Sequence, residues 1–473
     1  MTNAFPPEER SHAVVIGSSM AGMLAARVLA RHFARVTVIE RDAAPQGFEP
    51  RKGVPQGHHA HVLLKAGEEI LSELFPGFLA ELEERGSRRV DFGADVHWFH
   101  HGAWRTRYPS GIVFHVQSRP LLEGVVRNRL ERLPGVTIRH RTVAESLIFD
   151  TAKERVVGLR VKDADTDGEG VEEAADLIVD ASGRGSRLPG WLTQAGYPAP
   201  EEERVGIDIQ YASRVYHRPP FAERNWKALF VYQTPPAETR ISVLCPIEND
   251  RWLVSLGGYL GDHSPSDDAG YLAYAKGLAR PDIYEAIREA KPASDVSLHR
   301  VPYARWRHYE RLARFPGGIL PIGDSVCSFD PVFGQGMTVA AKGARALGLH
   351  LEKASLSRAG DARPLLRTLA GEVATPWLLA TSENFRYPQM EGRRPPGLAI
   401  LQRYTREVIR LSGSDPVVYG HFLRVLHLLD GPETLFRPSV LLRVLGSMMR
   451  GVQSVEGDGD GAGGGAAAGS TMA

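Results

Sequence analysis

Hydrophobic and polar positions follow two periods along this chain, and the switches between them mark its units. An apolar run over 13–16, an Ala-, Leu- and Met-rich stretch over 20–33 and the alternating RVTVIE of 35–40 predict strand, helix, strand. A loop rich in Gly, Pro and His follows over 43–61. Helix is predicted over 62–82, broken at Pro76, and again over 118–133, with a strand over 136–140 and further strands within 146–162 and 175–180. From 205 to 259 the alternating stretches 207–215, 228–232, 241–246 and 251–256 predict a mixed or antiparallel sheet. Residues 270–290 read as helical, 318–322 as a buried strand, 337–351 as a helix, and 364–450 as mostly helical. From 457 the chain is low-complexity with nothing apolar to bury, which predicts a disordered tail.

Composition narrows the picture. A chain of 473 residues is too long for one small core. It carries 57 basic against 56 acidic residues, so charge gives no reason to expect nucleic acid as a partner. Cys245 and Cys327 fit no disulfide or metal framework, and a reducing, cytoplasmic setting is expected. Residues 1–10 lack an apolar signal region, and no apolar run reaches the roughly 18 residues of a membrane span.

Two motifs carry chemistry. The first is Gly17-Ser18-Ser19-Met20-Ala21-Gly22, between a strand and a helix. A dinucleotide fold needs a tight turn at the first Gly, little side chain where backbone meets pyrophosphate, and a Gly for helix–strand packing. Ser19 replaces the usual middle Gly, and the helix opening at Met20 and Ala21 supplies N–H donors. Glu40, with Arg41 beside it, closes the second strand, where a carboxylate would accept from ribose hydroxyls. The second motif is a buried strand ending in Gly323-Asp324, followed by Asp330-Pro331-Val332-Phe333-Gly334-Gln335-Gly336-Met337. Asp324 can accept from ribityl hydroxyls, Pro331 offers a flat apolar contact to a flavin, and the N–H groups of Gly336 and Met337 suit the ring edge where negative charge collects. The histidine pair His59 and His61 lacks further ligands at metal-site spacing, so no metal is expected.

The second motif resembles the GD…P…GxG segment of the FAD-dependent aromatic hydroxylase superfamily, the group A flavin monooxygenases. A third motif of that family appears as residues 176–186, with Ser182-Gly183 in place of the usual Asp-Gly. The resemblance implies phosphate contacts from Arg51 and Arg119 and a backbone contact to adenine at Val143. The loop Arg51-Lys52-Gly53-Val54-Pro55-Gln56-Gly57-His58-His59-Ala60-His61, residues 182–186, and Trp377 to Ser382 with Tyr387-Pro388 resemble polyether epoxidases of the lasalocid and monensin type, relatives of squalene epoxidases. This likeness runs from about residue 12 to about 450.

What the resemblance implies is an α/β architecture. A Rossmann-like FAD-binding domain is expected over 10–190 and 300–355, an inserted mixed β-sheet substrate domain over 191–299, a helical C-terminal cap over 356–452, and a tail over 453–473. It implies FAD as cofactor, O2 as co-substrate, and NAD(P)H or a partner reductase as electron source. A flavin C4a-hydroperoxide would place one oxygen in an apolar secondary metabolite, foremost by epoxidation of a polyketide or terpenoid alkene. The alternatives are aromatic hydroxylation, a geranylgeranyl-reductase-like flavin reductase and a flavin halogenase; the Trp-x-Trp-x-Ile-Pro segment of halogenases is absent. Expected pocket residues are His61, Pro331 and Phe333 over the flavin, with Tyr211, Phe230, Tyr232 and Trp252 as walls. The expected partner is a small apolar substrate, and any membrane contact is peripheral.

Overall fold

Five parallel strands, in the order Ile319–Pro321, Leu177–Asp180, His12–Ile16, Arg35–Ile39 and Val136–Arg139, form the first sheet of the computed structural model. The structure describes residues 11–51, 53–166, 168–219, 224–353 and 362–457. The central strand His12–Ile16 is buried along its whole length, which is why it reads as an unbroken apolar run rather than an alternation. Helices Met20–Leu29 and Gly336–Lys353 cover this sheet and pack on each other. Thus the two glycine motifs, some 300 residues apart, start neighbouring helices. Gly17, at φ +99°, has to be glycine: an added Cβ would lie 2.6 Å from the carbonyl oxygen of Ala181.

The second sheet has eight strands, in the order Cys327–Ser328, Ser297–His308, Glu201–His217, Arg251–Gly258, Arg240–Ile247, Ala228–Val231, Val96–His100 and Ala103–Trp104. The long strand Glu201–His217 buries Val205, Ile207, Ile209 and Tyr211 on one side, the period-two pattern of its sequence. Four helices, Arg363–Asn384, Leu398–Leu411, Pro416–Leu426 and Pro438–Gly457, make up the C-terminal region.

The α/β fold with a Rossmann-like parallel layer, a mixed sheet and a helical C-terminus is the one expected. Its details differ in four places. The helix from residue 20 ends at Leu29, not near 33. The helical stretch 270–290 is two helices, Asp268–Lys276 and Asp282–Ile287, parted at Pro281. Strand Ser297–His308 runs across the boundary expected at 299, because it pairs over eleven residues with Glu201–His217. Strand Val96–His100, where no strand was predicted, also joins the large sheet, parallel to Ala228–Val231. Of the expected tail, 453–457 lies in helix Pro438–Gly457 and 458–473 lies outside the described residues. Among the described residues, no helix is long and apolar enough to cross a membrane.

Candidate functional site

The turn that joins strand His12–Ile16 to helix Met20–Leu29 is held by charges. Glu40 accepts from the backbone N–H of Ser18 at 3.1 Å, the Ser18 hydroxyl at 2.6 Å and Arg51 Nη1 at 2.6 Å. Burial alone would raise the Glu40 carboxyl, but Arg51 and the hydrogen bonds from Ser18 and Asp42 hold it down to about 2. Arg51 Nη2 also donates to the carbonyl of Ser18 at 3.0 Å. On the other side of the turn the Ser19 hydroxyl donates to Glu123 at 3.0 Å and accepts from Arg119 Nη2 at 3.1 Å. Arg119, Ser19, Arg51 and Glu40 therefore converge on one turn, with Met20 and Ala21 opening the helix beside them. Glu123, one helical turn after Arg119, is the member that the sequence reading missed; the spacing of four residues was the available signal.

Asp324 stands at the other end of this space. Its carboxylate has no hydrogen-bond partner among the described residues. Burial pushes its carboxyl up, offset in part by the charges of Arg184, Arg119 and Arg305. A Cβ added at Gly183 or Gly336 would meet nothing nearer than Asp324, at 3.9 Å in each case. So Gly183, Asp324 and the N-terminus of helix Gly336–Lys353 border open room. An unpartnered carboxylate, free helix N–H groups and two guanidinium groups are the donor and acceptor set that a ribityl–pyrophosphate chain requires. The residues present fit FAD. Gly323 leaves room for the neighbouring helix: its added Cβ would lie 2.6 Å from Ala21 Cβ.

The altered motif 176–186 also has a local explanation. Asp180 has no solvent exposure and accepts from the Ser182 N–H at 3.0 Å, the Ser182 hydroxyl at 2.5 Å and the Ser186 hydroxyl at 2.5 Å. Ser182 thus closes the turn after strand Leu177–Asp180 onto its last residue.

Beyond the Pro331–Gln335 turn a cavity of about 160 Å³ opens between the large sheet and the C-terminal helices. His61, Pro331, Phe333 and Gly334 line its inner end, and Tyr211, Phe230 and Tyr232 its floor. Leu379, Val408, Phe422 and Leu435 close it from the helical side. The loop carrying His61 is pinned to the sheet: His59 Nδ1 lies 2.7 Å from the Ser213 hydroxyl, Ser213 and Ser255 hydroxyls lie 2.6 Å apart, and the Ala60 N–H donates to Ser255. His61 Nδ1 lies 2.9 Å from the carbonyl of His59, which can only accept, so Nδ1 carries the proton and Nε2 the lone pair. Burial, with Arg119 adding to it, lowers His61 to about 3. Asp330, fully buried, anchors the turn by accepting from Tyr259 at 2.8 Å, Asn384 at 2.7 Å and the Val332 N–H at 3.0 Å.

Some expected residues fall elsewhere. Trp252 does not line the cavity. Strand Arg251–Gly258 turns Ser255 to that side, so Trp252, an odd number of positions away, faces the opposite layer and packs with Tyr216 and Tyr271. Arg41 is exposed beside Glu40. Val143 pairs in register with Lys162. Lys52 lies outside the described residues.

The sequence profile described as "FAD binding domain" matches residues 10–366. Protein Rv3254 of Mycobacterium tuberculosis is 35% identical over 444 residues, 89% of this chain and 90% of that protein. The squalene monooxygenase of Mus musculus is 27% identical over 352 residues, 70% of this chain and 52% of the mouse protein. Among solved structures, the flavin-dependent brominase Bmp2 superposes with a TM-score of 0.63 at 16% identity, over 94% of this chain and all of that one. A likeness at that identity speaks to the fold alone.

Proposed function

The chain belongs to the FAD binding domain family, within the superfamily of flavin-dependent monooxygenases and hydroxylases, and on that premise we propose that it epoxidises an alkene of an apolar polyketide or terpenoid substrate. The observation that carries this reading is the cavity against the Pro331–Gln335 turn, whose lining is mostly hydrocarbon and aromatic. The partial match to a squalene monooxygenase supports it.

Bound FAD, reduced by NAD(P)H or a partner reductase and supplied with O2, provides the electrophilic oxygen. The protein's part is binding, orientation and dryness. Gly17, Gly22, Arg51 and Arg119 would hold the pyrophosphate, Glu40 the ribose and Asp324 the ribityl chain, with Gly336 and Met337 directed at the ring. Tyr259, Asn384 and Asp330 fix the turn that carries Pro331. The helices closing the cavity keep water from the reacting face.

Epoxidation needs no general base, whereas hydroxylation of a phenol gains from one. The basic groups at this cavity are poor proton acceptors. His61 is held at about 3, burial lowers His100 well below the ordinary histidine range, and His101 and Arg386 hold the Glu383 carboxyl below the usual range in spite of burial. This favours an alkene over a phenol.

The test is FAD-loaded, reduced protein mixed with a terpenoid alkene under 18O2. Expected is an epoxide carrying one 18O atom. A ring-hydroxylated arene as the preferred product, a saturated product, or halide incorporation in place of oxygen would overturn the proposal.

A further inference from the structure

One charged side chain faces the otherwise oily cavity. Glu383, in the last turn of helix Arg363–Asn384, lines it and keeps 15% of its side chain accessible. Two fixed donors hold it from behind. Arg386 Nε lies 2.9 Å from both carboxylate oxygens, and His101 Nε2 donates to Oε2 at 3.0 Å. Arg386 is itself tied to the carbonyl of Gln402 and the hydroxyl of Thr405, so the carboxylate cannot swing away with its partner. Burial would raise the Glu383 carboxyl, but His101 and Arg386 hold it below the usual range, so it is ionised.

His100, His101 and Glu383 bring three potential ligand atoms within 4.8 Å of one another. The chemistry is nonetheless wrong for a cation, because Arg386 already lies against both oxygens. An ionised acceptor whose charge is already balanced calls for a neutral hydrogen-bond donor. A substrate carboxylate would be repelled, and a purely hydrocarbon chain would leave the remaining lone pairs without a partner in a dry site. Ser382 and Thr405 add polar lining at the same place, while the other residues on the helical side are apolar.

We propose that Glu383 is the acceptor for a hydroxyl group on the otherwise apolar substrate, and so sets which part of the chain meets the flavin edge. The inference rests on the reading of this cavity as the substrate site. Arg386 and His101 are positioning residues, acting through Glu383.

The test is equilibrium binding to the oxidised, FAD-loaded protein by titration calorimetry, with no turnover. The probes are geraniol and geranyl methyl ether, which share chain and alkenes but differ in the O–H donor. Geraniol is expected to bind about tenfold or more tightly than the ether, the scale of a hydrogen bond to a charged group. In Glu383→Gln the preference should fall to within about threefold, with ether affinity unchanged. Equal affinity of the two probes for the wild-type protein overturns the inference while leaving the epoxidase reading standing, and so does a preference that survives in Glu383→Gln. Binding of neither probe overturns both. The comparison of probes on the wild-type protein needs no variant, so a poorly folding Glu383→Gln does not remove the test.

Discussion

Tyr259 donates a 2.8 Å hydrogen bond to Asp330, tying the end of strand Arg251–Gly258 to the turn that opens helix Gly336–Lys353. Asn384, at the end of helix Arg363–Asn384, donates to the same oxygen. One buried carboxylate thus joins the sheet, the C-terminal helices and the Pro331–Gln335 turn. Tyr259→Phe removes a donor from a carboxylate that cannot reach water. A loss of about 1.5–3 kcal/mol is expected, that of a hydrogen bond to a charged group. The urea midpoint should fall, with weaker FAD retention after desalting. An unchanged midpoint would show that the turn does not depend on this bond.

Asp324 is expected to behave in the opposite way. It has no hydrogen-bond partner among the described residues, and burial disfavours its charge. Asp324→Ala should therefore leave the apoprotein as stable as the wild type, or more so, while FAD binding weakens by about tenfold or more. Denaturation of the two apoproteins and flavin titration separate these effects. Retention of stoichiometric FAD at wild-type affinity would exclude Asp324 as a ribityl acceptor.

The pair Glu40 and Arg51, 2.6 Å apart and both largely shielded from solvent, is a turn clamp before it is a cofactor contact. Glu40→Ala leaves the Arg51 guanidinium buried without its nearest partner, a change of about 3–5 kcal/mol in other buried pairs. Glu123, at 3.7 Å from Arg51, offsets part of this, so the lower end is expected. The apoprotein itself should be destabilised, unlike Asp324→Ala. Equal apoprotein stability would reduce the pair to a cofactor contact alone.

The local signals in the sequence were good where a short-range pattern fixes the geometry. The Gly17–Gly22 turn, the Asp324 end and the Pro331–Gly336 turn are each set by a few adjacent residues, and each stands where its spacing implies. Long-range pairing was not legible. Strand Val96–His100 joins a sheet whose neighbouring strand begins at Ala228, and nothing within its five residues encodes that partner. Trp252 failed for a related reason: an aromatic in a strand has even odds of either face until one neighbour, here Ser255, fixes the phase. Glu383 was invisible because its role depends on Arg386 and His101, the latter 282 residues away.

Acid should loosen the site through its buried histidines. Burial lowers His59, His61 and His427 each to about 3. His59 pins the loop that carries His61. His427 Nδ1 accepts from the N–H of Lys65, at the start of the next helix. Since the unfolded chain binds these protons near pH 6.5 and the folded chain does not until near 3, the folded state loses stability as pH falls below 6.5. The slope approaches about 1.4 kcal/mol per pH unit for each histidine. His115, raised by its hydrogen bonds to Glu68 and Glu83 in spite of burial, works the other way and at higher pH: the stability it contributes grows as pH falls toward 6.5 and is fully present below it, so it leaves the loss below 6.5 unchanged. Glu40 adds a second phase, because its pKa of about 2 lies below the ordinary 4.5, and the stability it contributes is lost as pH falls from 4.5 toward 2. Urea midpoints measured at pH 7.5, 6.5, 5.5 and 4.5 should hold or rise slightly over the first interval, where the His115 gain falls, and drop steeply over the next two. His427→Gln keeps a side chain that can accept from Lys65 and removes one titrating group, so its drop should be shallower by about one histidine's share. A profile flat to pH 4.5 would mean that these imidazoles titrate in the folded protein as they do in water.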